Sequence, residues 1–360
     1  MLSAPVLTTN THRTAEMAPT ATANFDRIKE LKQFDDSKTG VKGLLESGVT
    51  TLPRIFVHPP EILSDLKPGK RHVTIPVVDL SGSYSDDQHA AVVEDVRRAA
   101  SEFGFFQVVN HGIPDETVDG IIGAIKSFNE QPPEYRSQYY RRAVGSGVSY
   151  LSNVDLYRSK AASWRDTLLA ALSPNPPKRE EWPEVCADAV PAWDREVERL
   201  GGLLLDLLGE GLGLPAGRLS ETCLDGRTLV GHYYPYCPEP DQTLGISAHP
   251  DPGALTVLVQ DQVGGLQVKH NGEWIDIEPV PGALVINIGD LLQIMSNDAY
   301  KSAEHRVFAN STKEPRISIA IFINPSDHES MFGPQPELIS PEKPAQYREF
   351  KYPEFMDKFF

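Results

Sequence analysis

The chain has 360 residues, 40% of them hydrophobic and 23% charged, which is typical of a globular protein with a full core. Its net charge of −16 disfavours a nucleic-acid partner, since few cations could neutralise phosphates. No apolar run approaches the roughly 18 residues of a membrane span. We therefore expect a cytoplasmic protein, monomeric by default, without a nucleic-acid or membrane partner. Cys186, Cys223 and Cys237 form no metal-type spacing and no disulfide framework, which favours a reducing compartment.

The N-terminal quarter is expected to form a leader and an arm. Residues 1–24 are rich in Thr, Ala and Pro and poor in acids, which indicates a disordered leader, with a transit peptide as the alternative. Residues 25–73 follow as an N-terminal helix and arm, with the helix over 25–45. Four prolines then break regular structure: Pro53, Pro59, Pro60 and Pro68.

A mixed domain is predicted over 74–215. Its patterns indicate strands at 74–80 and 104–112, helices at 86–103, 114–129 and 191–214, and a short element at 164–172. Pro191 suits the first turn of the last helix, where a missing N–H costs nothing. Trp164-Arg165-Asp166 admits two interpretations: the residues line an opening, or they form a local salt bridge.

The pattern changes after Leu229 to short strands separated by Gly and Pro. Turns recur about every ten residues, as an antiparallel sandwich or barrel requires. We predict an α+β fold in which a helical N-terminal part packs on a jelly-roll domain at 226–326, followed by a C-terminal segment at 327–360. The predicted strands lie near 229–236, 245–249, 254–260, 264–269, 273–277, 283–288, 303–308 and 316–323.

Candidate metal ligands stand out in this second half. His249 and Asp251 are two residues apart, so both side chains can point inward from one strand end, and His305 lies on a distant strand. Two imidazoles and one carboxylate hold non-haem Fe(II) on one face and leave positions open. The same ligands bind catalytic zinc, but no general base is placed as in His-Glu-x-x-His, so iron is the better interpretation.

Arg316 and Ser318 predict an anion-binding site near that metal. Strand alternation puts them on one face with Phe322, while four isoleucines at 317, 319, 321 and 323 occupy the other face. A buried guanidinium needs an anionic partner, and a chelating dicarboxylate would meet this need. Tyr234 is expected to point inward as well and to add a hydrogen bond.

Several longer motifs resemble the plant 2-oxoglutarate- and Fe(II)-dependent dioxygenases. They are Gly104-Phe105-Phe106-Gln107-Val108-Val109-Asn110-His111-Gly112-Ile113-Pro114, Tyr233-Tyr234-Pro235-Tyr236-Cys237-Pro238 and Pro281-Gly282-Ala283-Leu284-Val285-Ile286-Asn287-Ile288-Gly289-Asp290. The chain is most similar to the branch of aminocyclopropanecarboxylate oxidase homologues, through residues 34–44 and Trp164-Arg165-Asp166-Thr167-Leu168. The resemblance covers residues 34–360.

This resemblance implies a double-stranded β-helix with iron on His249, Asp251 and His305 and 2-oxoglutarate on Tyr234, Arg316 and Ser318. It implies an oxygenase that hydroxylates, desaturates or cyclises a small plant specialised metabolite through an Fe(IV)-oxo intermediate. Oxygen would be consumed, succinate and CO2 released, and ascorbate would serve as reductant. His232 and Phe322 are candidate substrate-pocket residues. His232 stands where many members have Asn, and Pro250 where they have Thr or Ser.

Two other functions remain open from the sequence. One is an ascorbate-dependent oxidase of the aminocyclopropanecarboxylate oxidase type, and the other is a non-catalytic small-molecule-binding protein. The acidic net charge favours a cationic alkaloid or a neutral glycoside over a CoA thioester as the guest.

Overall fold

The computed structural model describes residues 25–67, 69, 73–142, 147–327 and 329–359. The predicted leader at 1–24 and Pro68 lie outside these ranges. In the described ranges, no helix has the length and apolarity that crossing a bilayer requires. The three cysteines are free and buried.

Most helices lie in the N-terminal two thirds of the chain, and α9 and α10 follow further on. Their bounds are α1 Arg27–Ser37, α2 Gly40–Glu46, α3 Pro60–Leu63, α4 His89–Glu102, α5 Asp115–Asn129, α6 Pro133–Arg136, α7 Ala189–Gly211, α8 Arg218–Cys223, α9 Asp290–Met295 and α10 Tyr352–Phe359.

The strands form two facing sheets and a small hairpin-like pair. Their bounds are β1 Val77–Asp79, β2 Phe105–Val109, β3 Ser149–Leu151, β4 Asp166–Ser173, β5 Gly226–Tyr234, β6 Leu244–His249, β7 Leu255–Gln260, β8 Leu266–His270, β9 Glu273–Asp276, β10 Leu284–Ile288, β11 His305–Phe308, β12 Arg316–Asn324, β13 Met331–Phe332 and β14 Phe350–Lys351. The large sheet has the order β1-β2-β10-β7-β12-β5-β4-β3, and the small sheet has the order β6-β11-β8-β9. β13 pairs with β14.

The eight strands predicted after Leu229 are all present as β5 to β12, and the jelly-roll prediction is confirmed. The isoleucines of β12 are buried against the helices that cover the outer face of the large sheet. The opposite face of β12 looks into the space between the two sheets. Strands β1 to β4 belong to the same large sheet as β5, so both predicted domains share it. The boundary between them stays a prediction.

The arm departs from the single helix predicted over 25–45. α1 ends where Lys38 adopts a left-handed conformation with φ 56°, and a separate helix α2 begins at Gly40. The buried carboxylate of Asp166 accepts hydrogen bonds from the N–H groups of Val41 and Lys42, both at 2.8 Å, and from Ser152. Asp166 therefore anchors the start of α2 to β4 and offsets unpaired N–H groups of the first helical turn.

Substitution of Gly40 tests the contact between Asp166 and the start of α2. It has φ +70°, and a Cβ added to it would lie 2.4 Å from Oδ1 of Asp166, whereas Gly48, with φ +87°, has open space around it. We expect Gly48→Ala to cost about 1–2 kcal/mol of unfolding free energy from backbone strain alone. Gly40→Ala should cost about 1–3 kcal/mol more, because the added Cβ would displace the carboxylate from its donors and also the Tyr150 hydroxyl, which lies equally close at 2.4 Å. Urea unfolding measures both, and equal losses would contradict the anchor.

Candidate metal centre and anion-binding cavity

Three side chains converge where the small sheet faces the large one. His249 ends β6, His305 begins β11, and the two residues are direct partners in the antiparallel pairing. Asp251 follows in the loop just beyond the end of β6. One ligand atom from each residue lies within 4.8 Å of the others. Nε2 of His249 and Nε2 of His305 lie 3.7 and 3.6 Å from Oδ1 of Asp251.

Backbone carbonyls fix which ring nitrogen of each histidine is free. Nδ1 of His249 lies 2.8 Å from the carbonyl oxygen of Ser247, and Nδ1 of His305 lies 3.3 Å from that of Ala303. A carbonyl can only accept, so Nδ1 carries the proton and Nε2 keeps its lone pair toward Asp251. This is the tautomer that a metal ligand requires.

Asp251 is held by two polar residues that the sequence analysis did not identify. Thr256 and Asn287 each donate a hydrogen bond of 2.6 Å to Oδ2, which leaves Oδ1 facing the imidazoles. Burial alone would raise the pKa of Asp251, but the two histidines and these hydrogen bonds outweigh it and the net direction is down. Thr256 and Asn287 pair across β7 and β10. Thr256 and Asn287 could have been identified in the sequence from the alternation of inward-facing residues along these strands.

The protonation state of His249 also suits metal binding. Burial, together with the neighbouring His305, lowers the pKa of His249 to about 4. The side chain of His249 is nevertheless 34% accessible, against 3% for Asp251. Its ring is therefore neutral at ordinary pH and remains partly accessible.

A buried cation lies on the interior face of β12. Arg316 donates hydrogen bonds to the carbonyl of Gly264 at 2.6 Å, to Oγ of Ser318 at 3.0 Å and to Oε1 of Gln260 at 2.7 Å. All three acceptors are neutral, and within the described ranges no carboxylate forms an ion pair with this guanidinium. Asp261, whose charge reaches Arg316 through space, instead accepts hydrogen bonds from the N–H groups of Val263 and Ile317.

Tyr234 and Gln260 offer further hydrogen-bond donors beside Arg316. The guanidinium carbon lies 4.8 Å from the ring centroid of Tyr234. The Tyr234 hydroxyl and Nε2 of Gln260 are buried without a hydrogen-bond partner in the structure. Buried polar atoms rarely stay unsatisfied, so a cation and free donors beside it form a cradle for a carboxylate. The residues thus fit both a metal and an anionic chelator.

The tentative pocket residues lie on the same interior face. His232 pairs with Ser318 and with Thr167, whose hydroxyl is 3.0 Å from Nδ1 of His232. Burial, followed by the charge of Arg165, lowers the pKa of His232 well below its usual value. Phe322 pairs with Thr256 and is half-buried. The structure brings both residues to the cavity wall.

Comparisons with known proteins were made once this geometry was established. Residues 226–325 match the 2OG-Fe(II) oxygenase superfamily, and residues 75–191 match the non-haem dioxygenase in morphine synthesis N-terminal family. The chain is 46% identical over 342 residues to 1-aminocyclopropane-1-carboxylate oxidase homolog 5 of Arabidopsis thaliana, covering 93% of this chain and 86% of that protein. It is 44% identical over 337 residues to a homolog from Solanum lycopersicum, covering 92% of each.

Solved structures agree with these matches. The crystal structure of JOX2 in complex with 2OG, Fe and JA superposes with a TM-score of 0.76 at 30% identity, covering 89% of this chain and 93% of that one. The rice dioxygenase for auxin oxidation superposes with a TM-score of 0.67 at 26% identity, covering 79% and 94%.

The hydrogen bonds to Asp251 generate a prediction about metal affinity. Thr256→Val or Asn287→Ala should weaken Fe(II) binding about 10–100-fold, because Oδ1 is no longer held toward the imidazoles. Anaerobic calorimetric titration measures this affinity. Thr222→Val is the control, since Thr222 bonds only within α8 to the carbonyl of Arg218. Unchanged affinity in both site variants would refute the positioning role.

Proposed function

We propose, since the chain belongs to the 2OG-Fe(II) oxygenase superfamily, that it hydroxylates, desaturates or cyclises a small specialised metabolite of a plant. The protein is a dioxygenase oxidoreductase with Fe(II) as its metal and 2-oxoglutarate as its cosubstrate. Ascorbate is the typical reductant of this family. The assignment of residues and the reaction on the primary substrate are our proposals.

Nε2 of His249, Nε2 of His305 and Oδ1 of Asp251 would hold the iron. These atoms form one compact group, as a facial triad requires. Iron bound there would supply the activation of O2 that is coupled to oxidative decarboxylation of 2-oxoglutarate to succinate and CO2. Thr256 and Asn287 would keep the carboxylate oriented throughout turnover.

Arg316, Ser318 and Tyr234 would bind the far carboxylate of 2-oxoglutarate. The observation that carries this proposal is a guanidinium only 2% exposed, with neutral acceptors alone and a free tyrosine hydroxyl beside it. A carboxylate would offset the charge and take up the hydroxyl donor. Because Arg316 fixes the far end of the molecule, it would orient the keto acid end toward the metal ligands.

The apolar residues between the sheets would exclude bulk water from the reacting atoms. Phe105, Val285 and Leu266 belong to the buried cluster that lines this space, and the Phe105 ring lies 5.2 Å from that of His305. Neutral His232 would present its remaining ring nitrogen to the cavity. A dry cavity of this kind limits side reactions of an activated site.

Succinate formation tests this proposal. Purified protein with Fe(II), ascorbate and 2-oxoglutarate should form succinate at a low uncoupled rate that rises with one class in a panel of plant metabolites. Asp251→Ala should abolish it. Arg316→Gln should raise KM for 2-oxoglutarate about 30-fold or more, since losing a buried charge partner costs about 2 kcal/mol or more.

Fe(II) affinity measured on the same variants serves as the control. Arg316→Gln should bind Fe(II) normally, whereas Asp251→Ala should not. Intact iron binding without any succinate in the wild type would overturn the oxoglutarate roles of Arg316 and Ser318. The ascorbate-dependent oxidase or the non-catalytic binding protein would then lead.

A further inference from the structure

A second guanidinium faces the cavity from the opposite side of β5. Arg165 immediately precedes β4, in which Asp166 pairs with Tyr233 and Thr167 pairs with His232. Alternation along the strand puts Arg165 on the interior face with Thr167, level with Tyr234. One of its nitrogens, Nη1, donates to the carbonyl of Gly245 at 2.9 Å. Its Nε is buried without a hydrogen-bond partner.

The carboxylates around Arg165 do not neutralise it by contact. Asp155 and Asp166 attract it through space, yet among the described residues no carboxylate forms an ion pair with it. Asp166 points away, to the N–H groups that start α2. Of the two sequence interpretations of this motif, the local salt bridge is therefore not what the structure has.

The charge of Arg165 reaches the reaction site. After burial, it is the largest influence that lowers the pKa of His232 on the neighbouring strand. Arginine stays protonated even when burial lowers its pKa, as it does here. The cation is therefore part of the electrostatic environment of the cavity and not an isolated surface charge.

The formal charges of the site with metal and cosubstrate bound show that no anion is left to pair with Arg165. With Fe(II) and the 2-oxoglutarate dianion bound, the charges of metal, cosubstrate, Asp251 and Arg316 would cancel. Arg165 would then remain, beside the substrate space, as a cation that no carboxylate of the described residues contacts directly. A cation without a directly paired anion is costly away from bulk water, and the buried Nε–H without a partner adds to the cost.

We propose that Arg165 binds an anionic group of the primary substrate, so that this enzyme acts on an organic monoacid. The inference rests on the proposed function of the site. A carboxylate would take the free Nε–H together with a second N–H of the planar guanidinium, as bidentate pairs do. A cationic substrate would be repelled, so the alkaloid expectation drawn from the net charge of the whole chain loses its support here.

Matched acids and amides test this inference. We would measure substrate-stimulated succinate formation with a panel of aromatic and alicyclic monocarboxylic acids and their primary amides. In the wild type the best acid should exceed its amide in kcat/KM at least about tenfold, the strength of a charge-assisted hydrogen bond. Arg165→Gln should bring that ratio close to one, and Arg165→Lys should retain part of it.

Two further measurements distinguish an anion of the primary substrate from a carboxylate of 2-oxoglutarate at Arg165. KM for 2-oxoglutarate in uncoupled turnover should change less than about twofold in Arg165→Gln, because Arg316 holds the cosubstrate. The best acid should raise the midpoint of thermal unfolding in the wild type and not in Arg165→Gln, a readout that needs no turnover. Arg98→Gln, at an exposed ion pair on α4, controls for loss of one positive charge.

Distinct results would overturn the inference. Acids and amides that act equally on the wild type, or a panel in which no acid stimulates, would refute an anionic substrate even if Arg165→Gln did not fold. A raised KM for 2-oxoglutarate with an unchanged acid preference would assign Arg165 to the cosubstrate instead. Absence of uncoupled succinate in the wild type would mark failure of the proposed function itself.

Discussion

Burial of Asp251 is the constraint on which the site depends. A carboxylate only 2% exposed must be compensated by its surroundings. Thr256 and Asn287 satisfy one oxygen, and the other remains directed at two nitrogen lone pairs. Three electron-pair donors that face each other are stable together when a cation lies between them. Across the cavity, the buried guanidinium of Arg316 needs an anion to offset its charge. One chelate of a divalent metal and a dicarboxylate meets both.

The fold holds the metal ligands and Arg316 in fixed positions on different sheets. His249 and His305 belong to the small sheet, whereas Arg316 belongs to the large one, whose outer face is sealed by isoleucines against helices. The loop that carries Asp251 lies against the start of α9. There, a Cβ on Gly289 would come within 2.1 Å of the carbonyl oxygen of Gly253, so only glycine allows the approach. The acidic net charge is a property of the protein surface. The cavity, by contrast, contains two cationic side chains, Arg316 and Arg165.

Much of this arrangement was predictable from the sequence. Short strands between Gly and Pro predicted β5 to β12, and alternation along β12 separated the arginine face from the isoleucine face. The spacing of His249, Asp251 and His305 predicted their convergence. The break between α1 and α2 was not predicted, because it depends on the distant carboxylate of Asp166. Gln260 was missed as a member of the cavity, since its role follows from Arg316, a partner that only the sheet register brings near. For Arg165, lining an opening was one of the two interpretations, and the register with β5 places it there.

An anaerobic crystal structure with Fe(II) and 2-oxoglutarate tests the central claim most directly. We expect the metal within coordination distance of Nε2 of both histidines and Oδ1 of Asp251. The far carboxylate should contact Arg316, Ser318 and the Tyr234 hydroxyl, leaving Arg165 free of the cosubstrate. A metal held by other residues, or a dicarboxylate bound away from Arg316, would contradict the assignment of this cavity.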